Sequence, residues 1–273
     1  MRYRLIATDI DGTLLDDRGA VSRRARSVLA RLAERSIPVV LTTARPPRRV
    51  GALHQELGLT TPVIAYNGGI AFAPQTGQTL FAHSMEKAVA SQVLSALRAV
   101  APEVNPGMEL ADEWRVDRFE PRFQELHEQG LITDFPLFGR LEDVLTQTTR
   151  PVNKLYFDGS QAMRSAFEGA LAERRVRDQV FVTSSGQDFV EILPAGVNKG
   201  SALRALAAIL GIPREQVLYL GDEEADVPAL QEAGLGIAMG NAPERVKRAA
   251  GAVTGTNRAD GWAEAIERHV LSA

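Results

Sequence analysis

A recurring unit constrains this fold more than any other feature: a short run that is apolar on both sides, ending in polar residues and followed by an amphipathic stretch. Leu5-Ile6-Ala7, Pro38-Val39-Val40-Leu41 and Val63-Ile64-Ala65-Tyr66 are three such runs. A strand with one wet face alternates apolar and polar residues, whereas a strand covered on both faces does not. Between the first two runs, Ser22 is placed to cap a helix reaching about Glu34, with Ala25, Val28, Leu29 and Leu32 on one face. A second helix is predicted over 47–57. Apolar strands separated by amphipathic helices build βαβ units and a parallel sheet.

The same grammar returns near the carboxyl end, with predicted helices over 199–210 and 227–232, strands over 217–220 and 235–238, and helices near 243–250 and 262–270. The middle reads differently. Helix-like segments (85–100 and 160–173) mix there with strand-like ones (152–157, 180–184 and 189–193) between Pro- and Gly-rich turns, which suits an α+β insert with an antiparallel sheet. The expected fold is therefore α/β: a doubly wound, Rossmann-like parallel-sheet core formed by 1–83 and 195–273, interrupted by an α+β insert at 84–194. A chain of 273 residues has room for two such domains.

Composition excludes several classes of function. The 31 Lys plus Arg against 34 Asp plus Glu leave a net charge of −3, which argues against nucleic acid or an acidic lipid surface as partner. Cysteine is absent, so disulfides and thiolate metal sites are ruled out, and no two of the four histidines sit at metal-ligand spacing. Any metal must then be a hard ion held by oxygens. No stretch approaches the ~20 apolar residues that span a bilayer. The amino terminus lacks the apolar block of a signal peptide, so a cytoplasmic location is expected.

Chemistry concentrates where the apolar runs end, the place where open α/β sheets collect ligands. The first run leads into Asp9-Ile10-Asp11-Gly12-Thr13-Leu14. Two carboxylates at i and i+2 of an extended chain can face one side, suiting a nucleophile beside a general acid. An Asp-rich solvated turn is the alternative reading of that pair taken alone. A later run leads into Gly221-Asp222-Glu223-Glu224-Ala225-Asp226. Asp222 and Asp226 share a face if a helix starts there. In isolation, an acidic helix start stabilised by its dipole is the favoured reading of these two. Carboxylates from two strand ends repel unless a cation such as Mg²⁺ joins them. Thr43 and Arg45 end the second run with a hydroxyl and a guanidinium suited to phosphate. Lys199 puts a positive charge at a helix start, where it needs an anionic partner.

In combination and in this order, these motifs resemble the haloacid dehalogenase-like (HAD) phosphatase superfamily, and within it the Cof-type sugar-phosphate phosphatases. The resemblance covers nearly the whole chain: Asp9-Ile10-Asp11-Gly12-Thr13-Leu14, Thr43-Ala44-Arg45-Pro46, Asn67-Gly68-Gly69, Asn198-Lys199-Gly200, Gly221-Asp222 with Asp226, Ala238-Met239-Gly240-Asn241-Ala242 and Asp260-Gly261-Trp262. It implies a Mg²⁺-dependent phosphomonoesterase acting on small phosphorylated metabolites, with the insert as a specificity cap. Asp9 would attack phosphorus, and Asp11 would protonate the leaving oxygen and then activate water. Thr43, Lys199 and the Gly12 amide would hold the phosphoryl group. Asp9, Asp11 (through its main-chain carbonyl), Asp222 and Asp226 would bind the metal. Arg45, Asn67, Gly68 and Asn241 are the remaining expected substrate contacts. Two positions depart from the family pattern: Ala44 replaces the usual Gly, and Ala225 replaces an Asn whose polar contact to lysine or phosphate is then missing.

Other readings compete. A phosphomutase would use the same aspartyl-phosphate but return the phosphoryl group to sugar. A non-catalytic phosphometabolite-binding relative finds support in Ala225 and strong opposition in the intact Asp9–Asp11 pair. A signalling receiver domain would be a single domain of roughly 120 residues, with its phosphoacceptor on a later strand. Asn67-Gly68-Gly69 reads equally well as a plain turn. Trp114, Arg115 and Lys154 lie in the insert with no orientation given by sequence.

Overall fold

The computed structural model describes residues 2–130, 132–186 and 188–272. It divides into two compact units, Met1–Ala82 with Asn198–Ala273, and His83–Val197.

The first unit carries strands β1 (Leu5–Asp9), β2 (Val39–Thr42), β3 (Val63–Ala65), β4 (Ile70–Ala73) and β5 (Gln78–Ala82), with helices α1 (Arg23–Glu34) and α2 (Gly51–Glu56) between the first three. In the second unit lie α3 (Lys87–Val100), β6 (Gly107–Leu110), β7 (Glu113–Val116), α4 (Pro121–Glu128), β8 (Leu137–Phe138), α5 (Leu141–Gln147), β9 (Val152–Asp158), α6 (Gln161–Glu173), β10 (Val180–Ser184) and β11 (Phe189–Pro194). The chain then returns to the first unit through α7 (Lys199–Ile209), β12 (Val217–Gly221), α8 (Val227–Glu232), β13 (Leu235–Ala238), α9 (Glu244–Ala249), β14 (Ala252–Val253) and α10 (Gly261–Ile266).

The first unit's sheet has the order β14-β13-β12-β1-β2-β3-β4-β5. Pairing is parallel from β14 through β3. The hairpin of β4 and β5 adds an antiparallel edge that the apolar-run pattern misses. Alternate residues of the central strands feed two separate cores, which is why these runs are apolar throughout. Ile6, Leu218 and Leu41 pack on one face with Val28, Leu32 and Trp262. Leu5, Ala7, Val40 and Tyr219 pack on the other with Leu203 and Leu206 of α7. Ser22 caps α1 as its position suggests, its side chain accepting from the Ala25 amide, and Ala25, Val28, Leu29 and Leu32 are all buried.

The second unit is an α+β layer pair. Its sheet runs β10-β11-β9-β6-β7-β8 with antiparallel pairing except between β7 and β8. Met108, Leu155, Phe157, Val190 and Ile192 from one sheet face pack against α3, α5 and α6.

Candidate active site

β1 is flanked by β12 and β2, and its last residue is Asp9. The register Thr8↔Leu220 and Asp9↔Thr42 brings the carboxyl ends of all three strands to one level. Asp222 directly follows β12, and the turn after it carries Asp226, whose Oδ2 accepts from the backbone amides of Asp222 (2.9 Å) and Glu223 (2.8 Å). Ligand oxygens of Asp9, Asp222 and Asp226 thereby lie within 4.8 Å of one another, all three side chains buried.

Lys199 is the cation of this cluster. It is the first residue of α7, whose start is fixed by a capping box between Asn198 and Ser201. Only 1% exposed, it donates to Asp9 Oδ1 at 2.8 Å and to Asp226 Oδ1 at 2.7 Å. An ammonium carries three N–H donors. The third meets no protein acceptor among the described residues, in keeping with Ala225 standing where a polar side chain is usual. Asp9 Oδ2 likewise receives no protein donor among the described residues.

Burial, then repulsion from Asp226, pushes the Asp9 carboxyl well above the usual carboxylate range, with Lys199 opposing. The same two causes raise Asp222 to about 7. Burial alone would lower Lys199, but Asp226 and Asp9 hold it well above its ordinary value. A site with three buried carboxyl groups and one ammonium is short of positive charge, and its oxygen donors would suit a hard divalent cation.

Asp226 is less open to a metal than sequence suggests. Its oxygens accept from Lys199, Tyr219 Oη (2.6 Å) and two backbone amides, filling the roughly four acceptor positions of a carboxylate. Asp222 accepts from Thr13 Oγ1 (2.6 Å) and Asn241 Nδ2 (3.1 Å), which leaves it acceptor capacity.

Asp9 and Asp11, expected to face one side, have different surroundings. After β1 the chain enters a single wide turn over Ile10–Leu14, closed by the Leu15 amide on the Ile10 carbonyl. Gly12 adopts φ 73° within it. Asp9 turns inward, whereas the Asp11 side chain is 59% exposed and pairs with Arg45, at 2.8 Å from Nε and 2.5 Å from Nη2. Arg45 therefore holds Asp11 here, and its guanidinium is not turned to an open phosphate site. Thr43 is buried at the end of β2, its hydroxyl accepting from the Arg45 amide (3.0 Å) and keeping its own hydrogen to donate.

Asn241 also differs from its expected role. Its Nδ2 donates to the Gly12 carbonyl (2.9 Å) and to Asp222, and its Oδ1 accepts from the Asn257 amide (3.0 Å). It ties three loops together, so it positions Asp222 and is not an open substrate contact. Gly12 serves the same junction, since a Cβ there would lie 2.3 Å from Asp222 Oδ2. Gly68, at φ 104°, backs onto α7: a Cβ would come within 2.3 Å of the Asn198 carbonyl oxygen. Asn67 is buried beside it, its amide on the Thr43 carbonyl (2.8 Å).

Four supporting residues, Tyr219, Thr13, Trp262 and Thr8, have roles that the sequence reading did not assign. Tyr219 looks like one more apolar strand residue, yet its hydroxyl bridges Thr42 Oγ1 (2.9 Å) and Asp226. A buried tyrosine must place its hydroxyl, and that requirement was the available signal. Thr13 holds Asp222. The Trp262 indole donates to Thr8 Oγ1 (3.0 Å), which donates to the Asp9 carbonyl (2.8 Å), fixing the backbone of Asp9.

In the second unit, Lys154 is buried on β9 and donates to Glu191 of β11 at 2.6 Å. Arg115 pairs with Glu113 at 2.6 Å, and the Trp114 indole donates to the Tyr156 hydroxyl.

Comparison with known proteins agrees with this geometry. A family model described as haloacid dehalogenase-like hydrolase matches residues 6–266. The Bacillus subtilis 5-amino-6-(5-phospho-D-ribitylamino)uracil phosphatase YitU is 29% identical, over 97% of each chain. A crystal structure of a haloacid dehalogenase-like hydrolase from Bacteroides thetaiotaomicron superposes with a TM-score of 0.79 at 30% identity, covering 97% of this chain and 99% of that one. The HAD subclass IIB sugar phosphatase BT4131 shares the fold with a TM-score of 0.84 at 17% identity, covering 97% and 98%. The chain belongs to the haloacid dehalogenase-like hydrolases, as a Cof-type phosphatase of that superfamily.

Proposed function

We propose that this protein is a Mg²⁺-dependent phosphomonoesterase that hydrolyses small phosphorylated metabolites, sugar phosphates or related compounds, through an aspartyl-phosphate on Asp9. The observation that carries this reading is the state of Asp9: it ends a central strand, one oxygen is held by a buried lysine, and the other is free of protein donors. The ribitylamino-uracil phosphate substrate of one relative and the sugar phosphates of another support a small phosphate ester as substrate.

Asp9, Asp222 and the Asp11 main-chain carbonyl are the groups that would hold Mg²⁺, with Asp226 behind them acting through Lys199 and water. The bound ion would screen the phosphoryl charge from the anionic nucleophile. In the first step Asp9 Oδ2 attacks phosphorus and the ester P–O bond breaks, while Asp11 gives its proton to the leaving oxygen. To do so Asp11 must first leave Arg45, which occupies both its oxygens here. Lys199, through its spare N–H, and the Thr43 hydroxyl would take the phosphoryl oxygens. In the second step Asp11 removes a proton from water, which attacks phosphorus; the Asp9 Oδ2–P bond breaks, freeing inorganic phosphate and returning Asp9 as the carboxylate.

The second unit would act as the cap that selects substrates and excludes bulk water. A cytoplasmic location fits a metabolite phosphatase, and no helix among the described residues is long and apolar enough to cross a membrane. Phosphate release from a panel of phosphorylated metabolites, with Mg²⁺ and again with EDTA, tests the proposal. Turnover of sugar phosphates that EDTA abolishes is expected. Activity on none of them, or full activity in EDTA, would contradict it.

A further inference from the structure

The sheet of the first unit has a second concave region, at the end opposite the carboxylate cluster. Arg4 precedes β1, Arg35 and Ser36 form the turn between α1 and β2, Thr60 lies in the turn before β3, and Leu210 and Ile212 lie in the turn after α7. These residues line a cavity of about 610 Å³. That volume falls within the range of small-molecule sites, roughly 300–1,000 Å³.

Its chemistry is one-sided. No acidic residue lines it, although acidic residues outnumber basic ones in the chain as a whole. Among the described residues neither guanidinium has a carboxylate partner: Arg4 makes no ion pair, and Arg35 spends one N–H on the Leu271 carbonyl at 3.2 Å. The Ser36 and Thr60 hydroxyls also have no partner among the described residues. Turns at the amino ends of parallel strands normally just close the layer. Here two arginines, two hydroxyls and an apolar wall of Leu210 and Ile212 face one space.

We propose that this cavity is a second, non-catalytic binding site for a small organic anion, its oxyanion head between Arg4 and Arg35 and its apolar portion against Leu210 and Ile212. Guanidinium forks bind oxyanions through paired, charge-assisted hydrogen bonds, and a shared anion relieves the repulsion between the two cations. The site is independent of the hydrolytic one. Five residue steps along extended β1 take the chain from Arg4 to Asp9, about 16 Å at 3.3 Å per step, so an occupant here touches none of the groups assigned to hydrolysis.

Calorimetric titration of the full chain with phenylphosphonate in EDTA tests this, because without metal the acidic cluster around Asp9 repels a dianion. One-to-one binding is expected. It should weaken about tenfold or more in Arg4→Gln and further in Arg4→Gln/Arg35→Gln, as loss of a charge-assisted pair implies. Both arginines are exposed, and Mg²⁺-dependent hydrolysis of p-nitrophenyl phosphate by these variants should stay within about twofold of the parent. Benzoate, titrated in parallel, separates the two head groups: tighter phosphonate binding marks a phosphorylated ligand and tighter benzoate binding a carboxylate, with the same arginine dependence in either case. Absence of binding, binding unaffected by both arginine changes, or binding lost in Thr43→Val would overturn the proposal. The last result would place the anion at the hydrolytic site and leave the phosphatase reading intact.

Discussion

Lys199→Met removes the cation that faces Asp9 and Asp226 while keeping an unbranched side chain of similar length. Both contacts are short, 2.8 and 2.7 Å, and both carboxylates are buried, so neither can turn to water for compensation. Breaking a buried ion pair by removing one partner costs about 3–5 kcal/mol, because the remaining charge is left without a counter-charge. Lys199 serves two such partners, and the upper part of that range is expected at pH 8 in EDTA. For a domain of this size the loss corresponds to a melting temperature lower by about 10–20 °C. The loss must shrink with acidity. An unpaired buried carboxyl has a raised folded-state pKa, so its stabilising protonation is present at low pH and lost as pH rises through that value. Chemical denaturation of parent and variant in EDTA at pH 5 and pH 8 measures both terms. A difference below about 1 kcal/mol at pH 8, or one that does not change with pH, would refute the idea that Lys199 neutralises this cluster.

Asp222 gives a second pH signal. Without metal its carboxyl sits at about 7 against an ordinary value of 3.8, so metal-free protein should lose stability as pH rises from about 4 to 7, and Asp222→Asn should flatten that slope in thermal melts. Mg²⁺ must displace the same proton, so its apparent affinity, read by calorimetry, should increase up to about pH 7 and then level off. Asp11→Asn should slow formation of the aspartyl-phosphate from alkyl phosphates by about 10²–10⁴-fold and from p-nitrophenyl phosphate far less, since only the poor leaving group needs a proton, while release of phosphate slows equally for both. Equal losses in the first step, measured for both substrates in single-turnover assays, would argue against the acid role.

Much of the core was legible because its strands are covered on both faces. Apolar runs without alternation located β1, β2, β3, β12 and β13, and polar residues at their ends marked the site. The β4–β5 hairpin escaped for two reasons: the apolar run of β4, Ile70-Ala71-Phe72-Ala73, follows Asn67-Gly68-Gly69 too closely to read as a separate βαβ unit, and β5 at the sheet edge is partly exposed and opens with Gln78-Thr79. In the second unit, Lys154 and Glu191 interrupt otherwise strand-like segments. Their mutual contact across β9 and β11 helps charge to be tolerated there, and pairing between distant strands leaves no local trace. The different surroundings of Asp9 and Asp11 have a similar origin. Both residues keep extended backbone angles and the chain turns at Gly12, but Asp11 meets Arg45 from beyond the end of β2, a contact between distant segments that leaves no local trace. Asn241 shows a further limit: residue type gave it hydrogen-bonding capacity, but the fold directs that capacity to Gly12 and Asp222.

The central claim is that Asp9 becomes covalently phosphorylated. Borohydride reduces an acyl phosphate, so protein quenched during Mg²⁺-dependent turnover and then reduced should yield, by peptide mass spectrometry, homoserine at position 9. The modification should be absent in EDTA and in Asp9→Asn. Robust turnover with unmodified Asp9, or reduction at a different carboxylate, would contradict the account.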